Sequence, residues 1–292
     1  MSDITKAIVP IAGLGTRFLP MSKVLPKEFM PVLDKPVLHY LVEELQAAGV
    51  THILFVASQL NKNAVAEYFQ KNTSLEKVLS ERKQVHLLEE LQSADRAMEG
   101  ISFSIIVDKP LGDAHAVLQG RKFAGDDACF VVTPGIIESR TPCAVQLAQV
   151  FKTAQKPVMG LFKAMPEEIS SFGIVAGEKI ANRFYKIKKI VEKPLPADAP
   201  SDLAITGRRI VTPEVFDYIK KTQPNKKGEI VLTEAFGEMV KDGKLVYGYE
   251  FEGTRWGTGD KESWLKTHLH YTLKHPEFGA AIRKFLKEER MI

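Results

Sequence analysis

Two glycines, an arginine and two lysines follow the first apolar run, in Ile8-Val9-Pro10-Ile11-Ala12-Gly13-Leu14-Gly15-Thr16-Arg17-Phe18-Leu19-Pro20-Met21-Ser22-Lys23-Val24-Leu25-Pro26-Lys27. These residue types suit one task, the holding of phosphate oxygens. Gly13 and Gly15 let the backbone turn sharply and approach a ligand with no Cβ in the way. The N–H groups exposed there can donate to an anion. Arg17 adds a rigid fork of donors, and Lys27 a mobile point charge. Pro20 and Pro26 stiffen the chain between these cations. A lone Gly-x-Gly is also consistent with a plain turn. Two other phosphate patterns fit badly. A Walker loop needs Gly-Lys-Ser/Thr entering a helix, whereas Gly15 precedes Thr16-Arg17. A dinucleotide fingerprint needs a third glycine and an immediate helix.

Two further stretches carry functional types. In Lys109-Pro110-Leu111-Gly112-Asp113-Ala114-His115-Ala116, Gly112 permits close backbone approach, and Ala114 and Ala116 leave room for a flat base. His115 reads as a helix-start histidine satisfied by backbone. In Val191-Glu192-Lys193-Pro194 a carboxylate that could accept two sugar hydroxyls stands beside a lysine that could hold a phosphate. Neighbours in a strand point to opposite faces, so both reach one ligand only if the chain bends near Pro194. A solvated strand end is the plainer reading of this pair.

The pattern Gly-x-Gly-Thr-Arg-x-x-Pro-x-x-Lys-x-x-Pro-Lys over residues 13–27 resembles the signature of the sugar-1-phosphate nucleotidyltransferases. Lys27-Glu28, Asp34-Lys35-Pro36 and later segments are most similar to the bacterial UTP–glucose-1-phosphate uridylyltransferase branch. The resemblance implies one domain that joins a nucleoside triphosphate to a sugar phosphate and releases pyrophosphate. It implies that Arg17 and Lys27 serve catalysis. Ala12, Gly13, Gly15, Thr16, Gly112, Asp113 and Ala114 would bind the nucleotide. Gly173, Glu192, Lys193 and Thr206 would bind the sugar phosphate. Leu203 to Arg208 and Gly228 to Ala235 also match family segments near the sugar. Val107 stands where family members carry a base-binding Gln, which leaves the base selectivity open.

The same resemblance implies Mg²⁺ held by two Asp residues, one in the turn after the fourth strand and one in a late Asp-x-Gly segment. Here those segments read Thr133-Pro134-Gly135-Ile136-Ile137 and Arg255-Trp256-Gly257-Thr258-Gly259-Asp260, with Gly135 and Gly257 at the two positions. Two readings follow. In one, UDP-glucose is made from UTP and glucose 1-phosphate, with Mg²⁺ held by ligand phosphates and by Asp113, Glu138 or Asp260. In the other, a weak or inactive relative keeps the fold and the sugar-nucleotide site and serves binding or regulation. A nicotinamide-dependent oxidoreductase is a third, fold-level alternative, disfavoured by the missing glycine and by the Pro-flanked loop around Asp34.

The elements that must position these residues follow from periodicity. Ala7 to Ile11 reads as a buried strand, and His52 to Ala57, Ser102 to Val107 and Ala128 to Thr133 as three more. Val37, Leu38, Leu41, Val42 and Leu45 recur at helical spacing, ending at Gly49. Asn61 is placed as the cap of a helix with Val65 and Phe69. Leu75 to Ala94 reads as one charged surface helix. Gly112 leads into a helix, and Thr141-Pro142 is expected to open another through Phe151 with Thr as cap. Beyond it, Val158 to Lys163, Gly173 to Ala176, Phe184 to Glu192, Leu203 to Val211 and Leu245 to Phe251 read extended. Helices over Pro213 to Lys220 and Leu232 to Val240 interrupt them. Lys261 to Glu289 reads as two amphipathic helices hinged at His275-Pro276, with apolar faces suited to core or subunit contact.

This alternation predicts an α/β fold with a doubly wound, mostly parallel mixed sheet, a strand-rich sugar-binding part and C-terminal helices. Ligands in such sheets lie beyond the carboxyl ends of the strands. We expect a single domain over 1–292, with a nucleotide half (1–155), a sugar half (156–260) and terminal helices (261–292) suited to a homodimer or homotetramer.

Composition narrows the class. The 292 residues carry 40 Lys and Arg against 36 Asp and Glu, a net charge of +4. That balance speaks against a nucleic-acid partner. The two cysteines, Cys129 and Cys143, lie in apolar surroundings, as reduced core thiols do. Neither a signal peptide nor an apolar run of about 18 residues is present, so no membrane partner and a cytoplasmic location are expected.

Overall fold

The computed structural model describes residues 4–291. In the first half, β1 (Lys6–Ile11) is followed by the glycine loop and a short ribbon, β2 (Pro31–Val32) and β3 (Lys35–Pro36). Then come α1 (Val37–Ala47), β4 (His52–Ala57), α2 (Gln59–Tyr68), α3 (Thr73–Glu81), α4 (Val85–Arg96), β5 (Ser102–Val107), α5 (Asp113–Gln119) and α6 (Arg121–Ala124). β6 (Cys129–Val132), β7 (Ile136–Glu138) and α7 (Cys143–Ala154) complete it. The second half contains β8 (Val158–Lys163), β9 (Gly173–Ala181), β10 (Phe184–Glu192), β11 (Leu203–Val211), α8 (Pro213–Lys221), α9 (Leu232–Lys241), β12 (Tyr247–Glu250) and β13 (Thr254–Trp256). Two helices, α10 (Lys261–Lys274) and α11 (Gly279–Glu288), end the chain.

Nine strands form one mixed sheet in the order β5-β4-β1-β6-β11-β8-β12-β10-β9. The first four pair in parallel. From β11 onward antiparallel pairs predominate. Successive residues of a strand face opposite ways, so an almost wholly apolar strand such as β1 must be covered on both sides. Two core clusters do this. Ile8, Val131, Phe216 and Phe236 pack on one face. Val9, Leu41, Phe55 and Phe130 pack on the other. The two cysteines are buried and free. Among the described residues, no helix is long and apolar enough to cross a membrane.

Some local expectations are corrected. Asn61 does not cap α2; Ser58 does, its Oγ accepting from Asn61 N at 3.2 Å. Ser58 precedes the apolar periodicity, and Asn61 turns inward instead. The charged stretch is helical as expected and is divided into two helices. Asn72 caps α3, and Lys83 at φ 54° breaks the chain before α4. α7 begins at Cys143 with Pro142 at its cap, so Thr141 stays outside, its carbonyl accepting from Gln146. His115 is held by a carboxylate, Asp108, at 2.8 Å rather than by backbone.

Candidate active site

The glycine loop leaves the carboxyl end of β1 and is fixed from below. Asn61 Nδ2 donates to the Ile11 carbonyl at 2.7 Å and to Glu28 Oε2 at 3.2 Å. Glu28 is buried, which raises its pKa despite Lys27 Nζ at 3.6 Å from Oε1. Lys27 is thereby tethered under the loop. Gly15 takes φ 65°, a conformation that a side chain disfavours, and a Cβ there would press on Ser22 and Lys27. Ala12, Gly13, Gly15, Thr16 and Lys27 line a cavity of about 450 Å³ together with Gly112 and Asp113. Ala114 is fully buried behind it. Arg17 lines neither this cavity nor its neighbour; its Nη1 stands 4.0 Å from where a Cβ on Gly259, a wall residue of the neighbouring cavity, would stand.

The turn before α5 is joined to the segment before α9. Ala114 N donates to Ile230 O, Ile230 N to Leu111 O, and Leu232 N to Asp113 Oδ1 at 2.9 Å. Gly112, at φ 107°, lies so close that any Cβ would collide with the Ile230 backbone. Asp113 is half-buried, and desolvation pushes its pKa up although Arg209 and the Leu232 N–H oppose this.

A second cavity of about 530 Å³ continues from the first. Gly173, Glu192, Lys193, Thr206 and Arg209 line it, and Lys27, Gly112, Asp113, Thr133, Pro134 and Glu229 line both cavities. The bend required for Glu192 and Lys193 to face one ligand falls on Lys193 itself, at φ 43°. Its N–H donates to Phe172 O, and its Nζ meets Glu192 Oε1 at 3.0 Å. Gly173 is needed beneath them, because a Cβ there would stand 2.8 Å from Thr233 Cγ2 and 3.1 Å from Glu192 Oε2. The structure thus brings the loop lysine and the glutamate–lysine pair to one continuous cleft.

The two glycine positions lie just beyond a paired ribbon: β7 and β13 pair antiparallel, and their last partners are Ile136 and Trp256. Neither offers a side-chain donor. The Gly135 and Thr133 carbonyls accept from Arg208 Nη2 and Nη1, and Arg208 forks onto Glu44, with Nη2 at 2.6 Å from Oε2. Each proposed substitute has other work. Asp113 receives Leu232 N. Asp260 caps α10, accepting from Ser263 N and Oγ at 2.9 Å each. Glu138 accepts from Trp256 Nε1, contacts His270 Nε2 and pairs with Lys274, all at 3.0 Å. Among the described residues no group of three or more His, Cys, Asp or Glu could hold a metal ion. The side chains present do not fit a protein-anchored Mg²⁺.

Several of these residues carry no motif of their own. Glu44, Asn61 and Arg209 lie in ordinary helix and strand patterns, and only their burial singles them out. No local sequence signal marks Glu44 or Arg209; their burial appears only in the folded structure.

Comparison with known proteins is consistent across three levels. The nucleotidyl transferase family model matches residues 6–274. The UTP–glucose-1-phosphate uridylyltransferase of Staphylococcus haemolyticus is 40% identical over 292 residues, 99% of each chain. That of Staphylococcus epidermidis is 38% identical, again over 99% of each. Among solved structures, the UTP-bound UGPase of Acinetobacter baumannii superposes with TM-score 0.88 at 31% identity, covering 98% of this chain and 99% of that one. A UDP-glucose pyrophosphorylase complexed with UDP-glucose gives TM-score 0.83 at 32% identity, covering 93% and 100%.

Proposed function

The chain belongs to the nucleotidyl transferase family, and from that premise we propose that it joins UTP to glucose 1-phosphate, giving UDP-glucose and pyrophosphate. The observation that carries this reading is the shared wall of the two cavities, with Lys27 in both. A triphosphate in the loop cavity and a sugar phosphate beside Lys193 would meet there. The uridylyl transfer is an in-line attack of the sugar-phosphate oxygen on the α-phosphorus. Such a reaction needs position and charge compensation more than covalent help from the protein. Lys27 stands between the two anions, Lys193 holds the incoming phosphate and Arg17 covers the outer phosphates from beside the two cavities. The loop N–H groups from Ala12 to Thr16 take the remaining phosphate oxygens. Gly112 and Ala116, which line the loop cavity, leave flat space for the base, with the buried Ala114 behind them. Gly173, Glu192 and Thr206 hold the hexose. We treat the chain as one working unit, with the exposed Leu265, Leu269 and Phe285 of the last two helices as its subunit contact.

A second reading, sugar-nucleotide binding with weak turnover, is favoured by one observation. Positions 135 and 257, each one residue past the paired ends of β7 and β13, carry no carboxylate. Divalent ion would then reach the cleft only as the companion of the triphosphate. Pyrophosphate release from UTP and glucose 1-phosphate, measured across a Mg²⁺ series and in EDTA, tests the first reading; a rate at background with intact UDP-glucose binding replaces it by the second.

A further inference from the structure

Strand β13 presents its side chains to two sides. Trp256 stacks on His270 of α10. Arg255, its neighbour, points the other way, into the angle between Phe162 of β8 and Phe172, the residue just before β9. Its guanidinium carbon stands 4.8 Å from the first ring centre and 4.6 Å from the second, and the two rings meet edge to face at 88°. Arg255 Nη2 also donates to Glu168 Oε1 at 2.7 Å. Glu168 lies in the 3-10 turn Pro166–Ser171 that leads into Phe172, and its other oxygen accepts from Met165 N at 3.2 Å. The Arg255 side chain is only 22% exposed, and contacts between a cation and aromatic rings strengthen as water leaves. One side chain thus fastens the β7–β13 ribbon to both the turn and the ring that follow β8.

Phe172 is tied in turn to the sugar half. Its carbonyl accepts from Lys193 N at 3.1 Å, and the next residue, Gly173, pairs with Glu192 across β9 and β10. Arg255 and Phe172 both line the larger cavity, and neither lines the loop cavity. Glu168 lines neither of these; it faces a separate outer cavity of about 400 Å³ that Arg255 also borders. We propose that Arg255 is a positioning residue for the reaction: it holds Phe172, and through it Gly173 and Lys193, at the spacing from the ribbon that a sugar phosphate requires. The inference rests on the sugar-nucleotide reading given above. Arg255 needs no contact with the ligand to act in this way. A wall displaced by about 1 Å is enough to cost as much as ~10²-fold in a transfer that depends on alignment. The effect falls on the sugar end alone, because the loop cavity is built without Arg255, Phe172 or Glu168.

Calorimetric titration of the wild type, Arg255→Met, Phe172→Leu, the double variant and Glu168→Gln with UDP and with UDP-glucose tests this. Arg255→Met keeps an unbranched side chain and removes the charge. It should weaken UDP-glucose by about 10-fold, the size of two cation–ring contacts, and leave UDP unchanged. In the Phe172→Leu background the same substitution should cost about 3-fold or less, because residues that act through one another are not additive. Glu168→Gln keeps an acceptor for Met165 N and loses the charge facing Arg255. It should weaken UDP-glucose by about 3-fold and spare UDP, although Glu168 lines neither cavity of the cleft. A fold-wide loosening would not separate the two ligands. The proposal is overturned if Arg255→Met or Glu168→Gln keeps wild-type affinity for UDP-glucose, or if either weakens UDP as much as UDP-glucose. Equal losses from Arg255→Met in the wild-type and Phe172→Leu backgrounds would overturn it too. If Arg255→Met does not fold, Glu168→Gln decides alone. Failure of the wild type to bind UDP-glucose would instead remove the sugar-nucleotide reading.

Discussion

Restoring carboxylates at positions 135 and 257 should have unequal structural costs, and the inequality follows from the local packing. A Cβ on Gly135 would find its nearest neighbours, Arg208 Nη1 and Thr258 Oγ1, at 3.9 Å, ordinary contact distance. The backbone there has φ 158°, at the border of the region that side chains avoid, so the cost is about 1 kcal/mol or a little more. A Cβ on Gly257 would stand 2.8 Å from Ser263 Cβ and 3.2 Å from its Oγ. Ser263 is held by Asp260, so the first turn of α10 must retreat with it. Overpacking of this kind costs about 1–3 kcal/mol. Gly257→Asp alone should therefore lower Tm by about 2–4 °C per kcal/mol, and Gly135→Asp by less. Adding Ser263→Gly should recover most of the Gly257→Asp loss. If the two restored carboxylates act together as the family pattern implies, they create a cation site. Saturating Mg²⁺, at about 100 times its Kd, should stabilise the triple variant by about 2.7 kcal/mol and leave the wild type unmoved. If the weak-turnover reading holds, Mg²⁺-dependent pyrophosphate release should rise by at least ~10²-fold, the usual worth of a lost preorganised contact. Differential scanning fluorimetry with and without Mg²⁺, alongside a pyrophosphate assay, reads both. A triple variant that folds, binds UDP-glucose as the parent does, and shows neither a Mg²⁺ shift nor added turnover refutes the reasoning.

Lys27→Ala should weaken UTP and glucose 1-phosphate together, each by ~10-fold or more in separate titrations, because this lysine faces both cavities. Glu44→Gln should cost about 3–5 kcal/mol in denaturant unfolding, since it strands the buried Arg208 charge. Asp260→Ala should cost about 1 kcal/mol as a lost helix cap. Burial raises the pKa of Asp260, but the Ser263 hydrogen bonds and Arg17 outweigh it and hold it below 3.8. Its charge-dependent contribution is therefore present above 3.8 and fades as pH falls through the lower folded value. The Tm gap between wild type and Asp260→Ala should narrow in that window.

Legibility from sequence tracked the range over which each feature is encoded. Strands such as His52–Ala57 and Val158–Lys163 are continuous apolar runs, and their bounds were readable to the residue. The glycine loop was readable because backbone approach to a ligand restricts residue type at fixed spacing. The joint role of 135 and 257 was implied only through a family pattern; the two positions are far apart in the chain, each next to one strand of the β7–β13 ribbon, and no local periodicity records that. The break between α3 and α4 was missed because Lys83 is a non-glycine at positive φ, which composition does not betray. Arg209 looked like any polar residue in a strand. Its burial is a property of the folded surroundings alone.

The chain contains only two tryptophans, and both sit on the seam between the β7–β13 ribbon and the last long helix. Trp256 stacks on His270 with ring centres 3.7 Å apart, and Trp264 donates to the Pro31 carbonyl at 2.8 Å. Intrinsic fluorescence therefore watches the strand pair bearing positions 135 and 257 with no label attached. A loosening of that seam on ligand arrival would unstack Trp256 and change its emission, giving the molecule a built-in optical gauge beside its own cleft.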